Sequence, residues 1–141
     1  MAFGWLGPVE AAASMAMLPL GASLFFDWPH VGLPDDGVTV ETLSTMVFAA
    51  IVLLQMANAF ECRSTPASLF SIGPFSNRLL VWAVLAELAL LLAFVYVPPV
   101  AELLAMRPLD LEQWLPVLVT PFVLLGAEEV RKALVRRRLL S

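Results

Sequence analysis

Four polar side chains interrupt long apolar stretches of the sequence, and they are the residues best suited to chemistry. Two are carboxylates, Glu10 and Glu87, and two are amides, Gln55 and Asn58, which are three residues apart and so share one side of a helix. An ionised carboxylate at the centre of a membrane helix costs about 2.5–3.5 kcal/mol, so each glutamate needs a partner, a raised pKa or a water-filled passage. Amide oxygens can coordinate hard cations without that cost. We therefore take all four as candidates for an ion pathway, and Gln55 and Asn58 as candidates for a metal-ion site.

Each of these residues also has a purely structural interpretation, in which it forms a hydrogen bond that joins two helices. Glu87 lies roughly 12 Å along its helix from Leu79, near the middle of the membrane, and for it both interpretations stay open. Glu10 lies roughly 10 Å from Phe3 and nearer the interface. For Glu10 and for the amide pair, the structural interpretation is the favoured one.

The composition places these side chains in a lipid bilayer. Of the 141 residues, 60% are apolar and 14% are charged, and the mean hydropathy is +0.87. Soluble domains have about 45–50% apolar and about 25% charged residues, so this chain carries too little charge to cover the surface of a soluble protein. Its net charge of −4 provides no basic surface for nucleic acid. A single cysteine excludes a disulfide framework and a thiolate zinc site.

Four apolar stretches approach the length of about 20 residues that a membrane-spanning helix needs. They cover residues 3–26, 43–60, 79–97 and 114–130. The first lacks a basic leading region and a small-residue cleavage site, so we interpret it as a span and not a signal peptide. The predicted fold is an all-α, integral membrane four-helix bundle that forms one domain over residues 1–141 and ends in a basic tail, residues 131–141.

The charge distribution predicts the orientation of this bundle. Residues 27–42 and 98–113 are proline-rich, acidic connections, whereas seven of the eight basic residues lie in the connection 61–78 or in the tail. Only Arg107 lies on the other side. Because positive residues are retained in the cytoplasm, both termini are predicted to be cytoplasmic.

The sequence holds no pattern of an ordinary enzyme. The phosphate-cradling glycine loop is absent. The single histidine, His30, is predicted to lie in an outer connection, away from any serine or cysteine of the bundle. We therefore expect no catalytic residue in this chain.

From residue 45 to residue 138 the chain resembles the C-terminal membrane segment of P-type cation-transporting ATPases, the seventh to tenth helices of those pumps. The resemblance is strongest to bacterial relatives of calcium pumps, and residues 3–26 match more loosely. It is carried by short pieces in a specific order: QMANAF at 55–60, CRS at 62–64, SLF at 68–70, SNR at 76–78, YVPP at 96–99, PLDLEQW at 108–114 and EEVRK at 128–132.

The resemblance implies a role as the membrane module of a cation pump, encoded separately or left by truncation, which braces the ion-transport helices and contributes polar groups to cation translocation. The phosphorylation motif Asp-Lys-Thr-Gly-Thr and the actuator motif Thr-Gly-Glu are absent from the sequence. The chain is therefore expected not to be catalytic alone, and ATP and magnesium would bind the missing pump domains, with no cofactor in this chain. Where a calcium pump has an ion-binding glutamate on its eighth helix, this sequence has Gln55, which favours a one-ion pump or a supporting helix.

The same resemblance implies the partners and the location of the chain. The expected partners are the lipid bilayer, the N-terminal portion of a P-type pump and an inorganic cation, in a prokaryotic cell membrane. Two alternatives are a small autonomous four-helix transporter and a regulatory membrane subunit of a pump. The imbalance of seven basic residues against one argues against transporters that insert in both orientations.

Overall fold

The computed structural model describes residues 3–26, 37–63 and 77–139, with side chains over residues 7–26, 37–61 and 77–135. Everything within these ranges is helix or short connection, without a strand. The helices are α1 (Phe3–Phe25), α2 (Gly37–Arg63), α3 (Arg78–Tyr96), the short α4 (Pro98–Leu103) and α5 (Leu111–Leu139). The predicted all-helical fold is therefore confirmed.

Three of the described helices are long and apolar enough to cross a membrane: Gly7–Phe25, Gly37–Glu61 and Arg78–Tyr96. The chain is thus an integral membrane protein. Helix α5 has 29 residues, but charges accumulate along it from Glu128 onward. Its crossing as a fourth span, and the cytoplasmic location of both termini, stay predictions.

Helix α2 begins earlier than the predicted span, because residues 37–42 are helical and not part of an outer loop. Three threonines in its first turns, Thr39, Thr42 and Thr45, are buried. The Thr42 hydroxyl donates to the Val38 carbonyl at 2.8 Å, and the Thr45 hydroxyl donates to the Glu41 carbonyl at 2.7 Å. Because the helix backbone accepts these hydroxyl protons, polar residues can line a buried helix face.

Helix α5 also extends beyond its predicted apolar span, from Leu111 to Leu139, so most of the predicted basic tail is helical. Its start is capped reciprocally. The Gln113 side chain accepts from the Asp110 backbone N–H at 3.0 Å, and the Asp110 carbonyl accepts from the N–H groups of Gln113 and Trp114. This arrangement satisfies backbone groups that a helix start leaves free.

Helices α1, α2 and α5 form the packed core, in which α2 makes the most extensive contacts. Gly21 lets α1 approach α2 closely, since a Cβ there would lie 3.0 Å from Leu43 Cδ2 and 3.2 Å from the Met46 sulfur. The core between the three helices is built from Met46, Leu54, Val117 and Leu124, all essentially inaccessible to solvent.

Helix α3 lies at the edge of this core. Only Leu91 and Val95, near its C-terminal end, are buried. There the rings of Phe48 on α2 and Phe94 on α3 lie 6.2 Å apart between centroids. Toward its N-terminal end α3 is open, with Trp82 exposed at 70%. The edge helix is therefore held mainly through its C-terminal half.

Candidate functional site

The structure joins two of the four predicted pathway residues directly. Asn58 on α2 donates from Nδ2 to Oε2 of Glu10 on α1, at 3.3 Å. Both side chains are half-buried. The contact lies where the first turns of α1 meet the last turns of α2, because the two helices run in opposite directions. Glu10 thus has the hydrogen-bonding partner that a carboxylate in a membrane helix needs.

The other two candidates, Gln55 on α2 and Glu87 on α3, lie close to the helix faces that carry the Phe48–Phe94 contact. Gln55 is exposed and Glu87 is half-buried. Gln55 follows Phe48 by seven residues, and Glu87 precedes Phe94 by seven residues. Since seven residues return to nearly the same face of a helix, and since α2 and α3 run in opposite directions, the Phe48–Phe94 contact places Gln55 and Glu87 at a similar depth.

The polar side chains of α2 therefore leave the helix in different directions. Asn58 points to α1 and Glu61 points to α5, whereas Gln55 is exposed. Three residues advance a helix by about 300°, so each step of three turns the side chain back by about 60°. Gln55 and Asn58 are therefore near one face of α2, but the angle of about 60° between them lets Asn58 contact α1 while Gln55 is exposed.

A buried ionic cluster lies at the ends of α2 and α5, one turn beyond Asn58. Glu61 forms an ion pair and hydrogen bond with Lys132, and both side chains are at most 2% exposed. Lys132 Nζ also lies 3.9 Å from Glu129 Oε1. Beside this pair, Arg131 donates hydrogen bonds to both carboxylate oxygens of the buried Glu128. Its Nε lies 2.8 Å from Oε2, and one terminal nitrogen lies 2.5 Å from Oε1. The hydrogen bonds and charge of Glu128 raise the pKa of Arg131 above its ordinary value.

Sequence reasoning missed this cluster because it counted Lys132 among the solvated positive charges of the tail. A signal was present in the spacing of α5. Leu124, Glu128 and Lys132 follow one another at intervals of four, and all three are buried. Intervals of four keep residues on one face of a helix, so the face that buries Leu124 also buries Lys132.

A second set of polar contacts ties the connection between α3 and α5 to the opposite end of the bundle. The Tyr96 hydroxyl donates to the Leu109 carbonyl at 2.9 Å and accepts from Trp114 Nε1 at 2.7 Å. The Arg107 backbone N–H donates to Thr45 Oγ1 at 3.0 Å. An open cavity of about 490 Å³ lies against this connection, and Glu41 and Glu102 are among its lining residues.

Metal binding by Gln55 and Asn58 stays a prediction. Within the described ranges, no group of three or more histidine, cysteine, aspartate or glutamate side chains is placed to hold a metal ion. Gln55 and Asn58 offer amide oxygens, and the carboxylate of Glu10 accepts a hydrogen bond from Asn58. His30, predicted to lie in an outer connection, falls outside the described residues.

Comparison with known proteins gives a consistent result. The family model described as the C-terminus of cation-transporting ATPases matches residues 1–134. A calcium-transporting ATPase of Bacillus subtilis is 35% identical over 92 residues, which cover 62% of this chain and 10% of that protein. Calcium-transporting ATPase type 2C member 2 of Mus musculus is 34% identical over 87 residues, covering 62% of this chain and 9% of that protein.

A longer match extends over nearly all of the chain. The sodium/potassium-transporting ATPase subunit alpha-4 of Rattus norvegicus is 33% identical over 162 aligned positions, covering 98% of this chain and 16% of that protein. The chain therefore spans only a small part of the length of the curated relatives that it matches.

Proposed function

Because this chain belongs to the family described as the C-terminus of cation-transporting ATPases, we propose that it is the C-terminal membrane module of a P-type cation pump. In this role it braces the ion-transport helices and contributes polar groups to cation translocation. The single observation that carries the proposal is the family match over residues 1–134, which includes α1 to α4 and most of α5.

The proposed substrate is an inorganic cation, and the proposed partner is the N-terminal portion of the same kind of pump. The relatives are named as transporters of calcium or of sodium and potassium. ATP and magnesium are assigned to the rest of such a pump, and this chain is not catalytic alone. A prokaryotic cell membrane with both termini in the cytoplasm is the location that we propose.

The bracing role is supported by the division between a packed core and an open edge. Helices α1, α2 and α5 bury their shared surface against one another, and Leu91 and Val95 of α3 belong to the same buried cluster, so the chain has a packed core of its own. Around that core, large apolar side chains remain exposed on α3 and α5, among them Trp82 and Phe122 at 70% and 71%. Those surfaces suit contact with neighbouring membrane helices and lipid.

The contribution to cation translocation is supported by the exposure of Gln55. An amide on the surface of a membrane-spanning helix is unfavourable in lipid, because the hydrocarbon provides no hydrogen-bonding partner. Gln55 is nevertheless exposed within the Gly37–Glu61 span, one turn from the Asn58–Glu10 contact. A polar neighbour on a further helix, or a hydrated cation pathway, would satisfy it. Glu87, at a similar depth on α3, adds a carboxylate to the same region.

The test is cation uptake into vesicles that carry this chain together with the preceding six-helix portion of a P-type pump. We expect Gln55→Ala/Asn58→Ala to reduce uptake at matched protein level while expression persists, since membrane hydrogen bonds average only about 0.6 kcal/mol. Gln55→Leu, which keeps the bulk of the side chain, should also reduce uptake. The matched control is Ser23→Ala, because Ser23 is exposed and donates only to the Leu20 carbonyl of its own helix. Unchanged uptake in the double variant would contradict the assigned role of these amides.

A further inference from the structure

Helices α2 and α5 lie side by side and run in the same direction, with one polar contact near each end. Near the start of both helices, the Arg107 backbone N–H binds Thr45 Oγ1 at 3.0 Å. Near their C-terminal ends, Glu61 binds Lys132 out of contact with solvent. Between these contacts the packing is mostly apolar. These two contacts therefore lie at the two ends of an interface whose middle contains buried apolar residues.

The apolar part of the interface has little to distinguish one axial register from the next. Near Glu61, the cluster that joins the helices is built on Leu54 and Ala57 of α2 and Leu124 of α5. Apolar contacts are non-directional, so sliding one helix by a turn exchanges one such contact for another. A buried ion pair is different, because its two charges must meet at one level.

Both one-turn slips are penalised by the charges of α5. Moving α5 by about 5.4 Å in its C-terminal direction would take Lys132 past Glu61 and place Glu128, whose oxygens are already bound by Arg131, opposite it. Moving it the same distance in the other direction would place Lys132 at the level of Ala57, in the apolar cluster and away from Glu61. Only the observed register places Lys132 against Glu61 at the depth where Glu61 is buried.

We propose that the Glu61–Lys132 pair sets the axial register of α2 against α5 and thereby positions Asn58 opposite Glu10. Glu61 is three residues beyond Asn58 on the same helix, so any shift of α2 that followed the loss of this pair would also move the amide. Lys132 is in this sense a positioning residue for the pathway. The register itself is a property of the chain, and only its consequence for transport rests on the proposed function.

The experiment measures the register by disulfide formation in the purified full chain, with Cys62→Ser to remove the native thiol. Leu54→Cys combined with Leu124→Cys reports the observed register. Leu54→Cys combined with Thr120→Cys reports the register in which α5 has moved one turn in its C-terminal direction. With the ion pair intact, we expect the first combination to form the disulfide and the second to form little.

The informative variant is Glu61→Leu/Lys132→Leu, which removes both charges together and so leaves neither member of the pair buried without the other. If the pair sets the register, two registers become comparably populated, so the 54/124 yield should fall to about half and the 54/120 product should appear. Lys132→Arg preserves the charge and should retain the original 54/124 disulfide yield. If only the packing volume of Lys132 mattered, the larger arginine would not be expected to retain that yield. Glu41→Gln is the matched control, since it removes a carboxylate from the exposed Arg107 contact at 4.0 Å.

The proposal is overturned if Glu61→Leu/Lys132→Leu keeps the original 54/124 yield and forms no 54/120 product, because apolar packing would then set the register. It is also overturned if Lys132→Arg behaves like the double leucine variant. These measurements need neither cation nor nucleotide. An unchanged register would therefore overturn this proposal without contradicting the proposed function. The disulfide measurement would also remain valid if the chain had no role in transport.

Discussion

Glu61 and Lys132, 71 positions apart in sequence, form an ion pair at the ends of two parallel helices that leaves at most 2% of either side chain exposed. The pair joins α2 to α5 within one turn of the Asn58–Glu10 contact that joins α2 to α1. The three core helices are thus connected by polar contacts at one end of the bundle. The buried ion pair and the contact between two candidate pathway residues therefore lie side by side on α2.

Loss of one partner should lower the free energy of unfolding far more in the buried Glu61–Lys132 pair than in the half-exposed Arg107–Glu41 pair. Lys132→Met leaves the carboxylate of Glu61 buried without its lysine, so we expect it to lower the free energy of unfolding by about 3–5 kcal/mol. The control is Arg107→Met, which removes the cation of a half-exposed pair with Glu41 at 4.0 Å; its loss should stay within about 1 kcal/mol. Unfolding in detergent measures both, and equal effects would contradict the burial of the pair.

Two glycines should respond oppositely to alanine. A Cβ at Gly21 would lie 3.0 Å from Leu43 and 3.2 Å from Met46, whereas a Cβ at Gly126 would meet nothing within 4 Å. Gly21→Ala should therefore cost up to about 3 kcal/mol, because the buried side chains of Leu43 and Met46 must shift to make room for the methyl group. Gly126→Ala should stabilise α5 by up to about 1 kcal/mol, since alanine is the better helix former. Comparison of the two unfolding midpoints tests this, and a Gly21→Ala chain as stable as the Gly126→Ala chain would contradict the crowding of Gly21 by Leu43 and Met46.

Glu10 should tolerate the loss of its charge but not the loss of its oxygen. Glu10→Gln keeps an oxygen that can accept from Asn58 Nδ2, so its unfolding free energy should remain close to that of the original chain. Glu10→Leu removes the acceptor and should cost about 0.6 kcal/mol, with an upper bound near 1.7 kcal/mol. If both variants lose the same stability, the carboxylate charge and not the hydrogen bond matters at this position.

Much of the fold could be predicted because apolar length and helix spacing are local properties. The four apolar stretches of the sequence correspond to α1, α2, α3 and α5, and the need of Glu10 for a partner follows from its carboxylate alone. The partner could not be predicted, because Asn58 faces α1, Glu61 faces α5 and Gln55 is exposed, and the rotation of α2 that decides this depends on packing. The helical residues 37–42 were also missed, since threonine is disfavoured in helices unless its hydroxyl finds a backbone acceptor, as Thr42 and Thr45 do.

The orientation of the bundle can be tested with single cysteines in a Cys62→Ser chain. Glu102 and Leu134 are both exposed and lie at opposite ends of the bundle. With the basic residues retained in the cytoplasm, Glu102→Cys should react with a membrane-impermeant maleimide in intact cells. Leu134→Cys should react only after the cells are opened. The reverse pattern would show that both termini face outward.

We propose ATP-driven cation uptake into vesicles as the measurement that decides whether this chain completes a cation pump. The preceding six-helix portion of a P-type pump, with its cytoplasmic domains, is expressed with and without this chain and compared at matched protein level. We expect uptake only when the chain is present, and none from the chain alone. Equal uptake with and without the chain, or ATP-driven uptake by the chain alone, would contradict the claim.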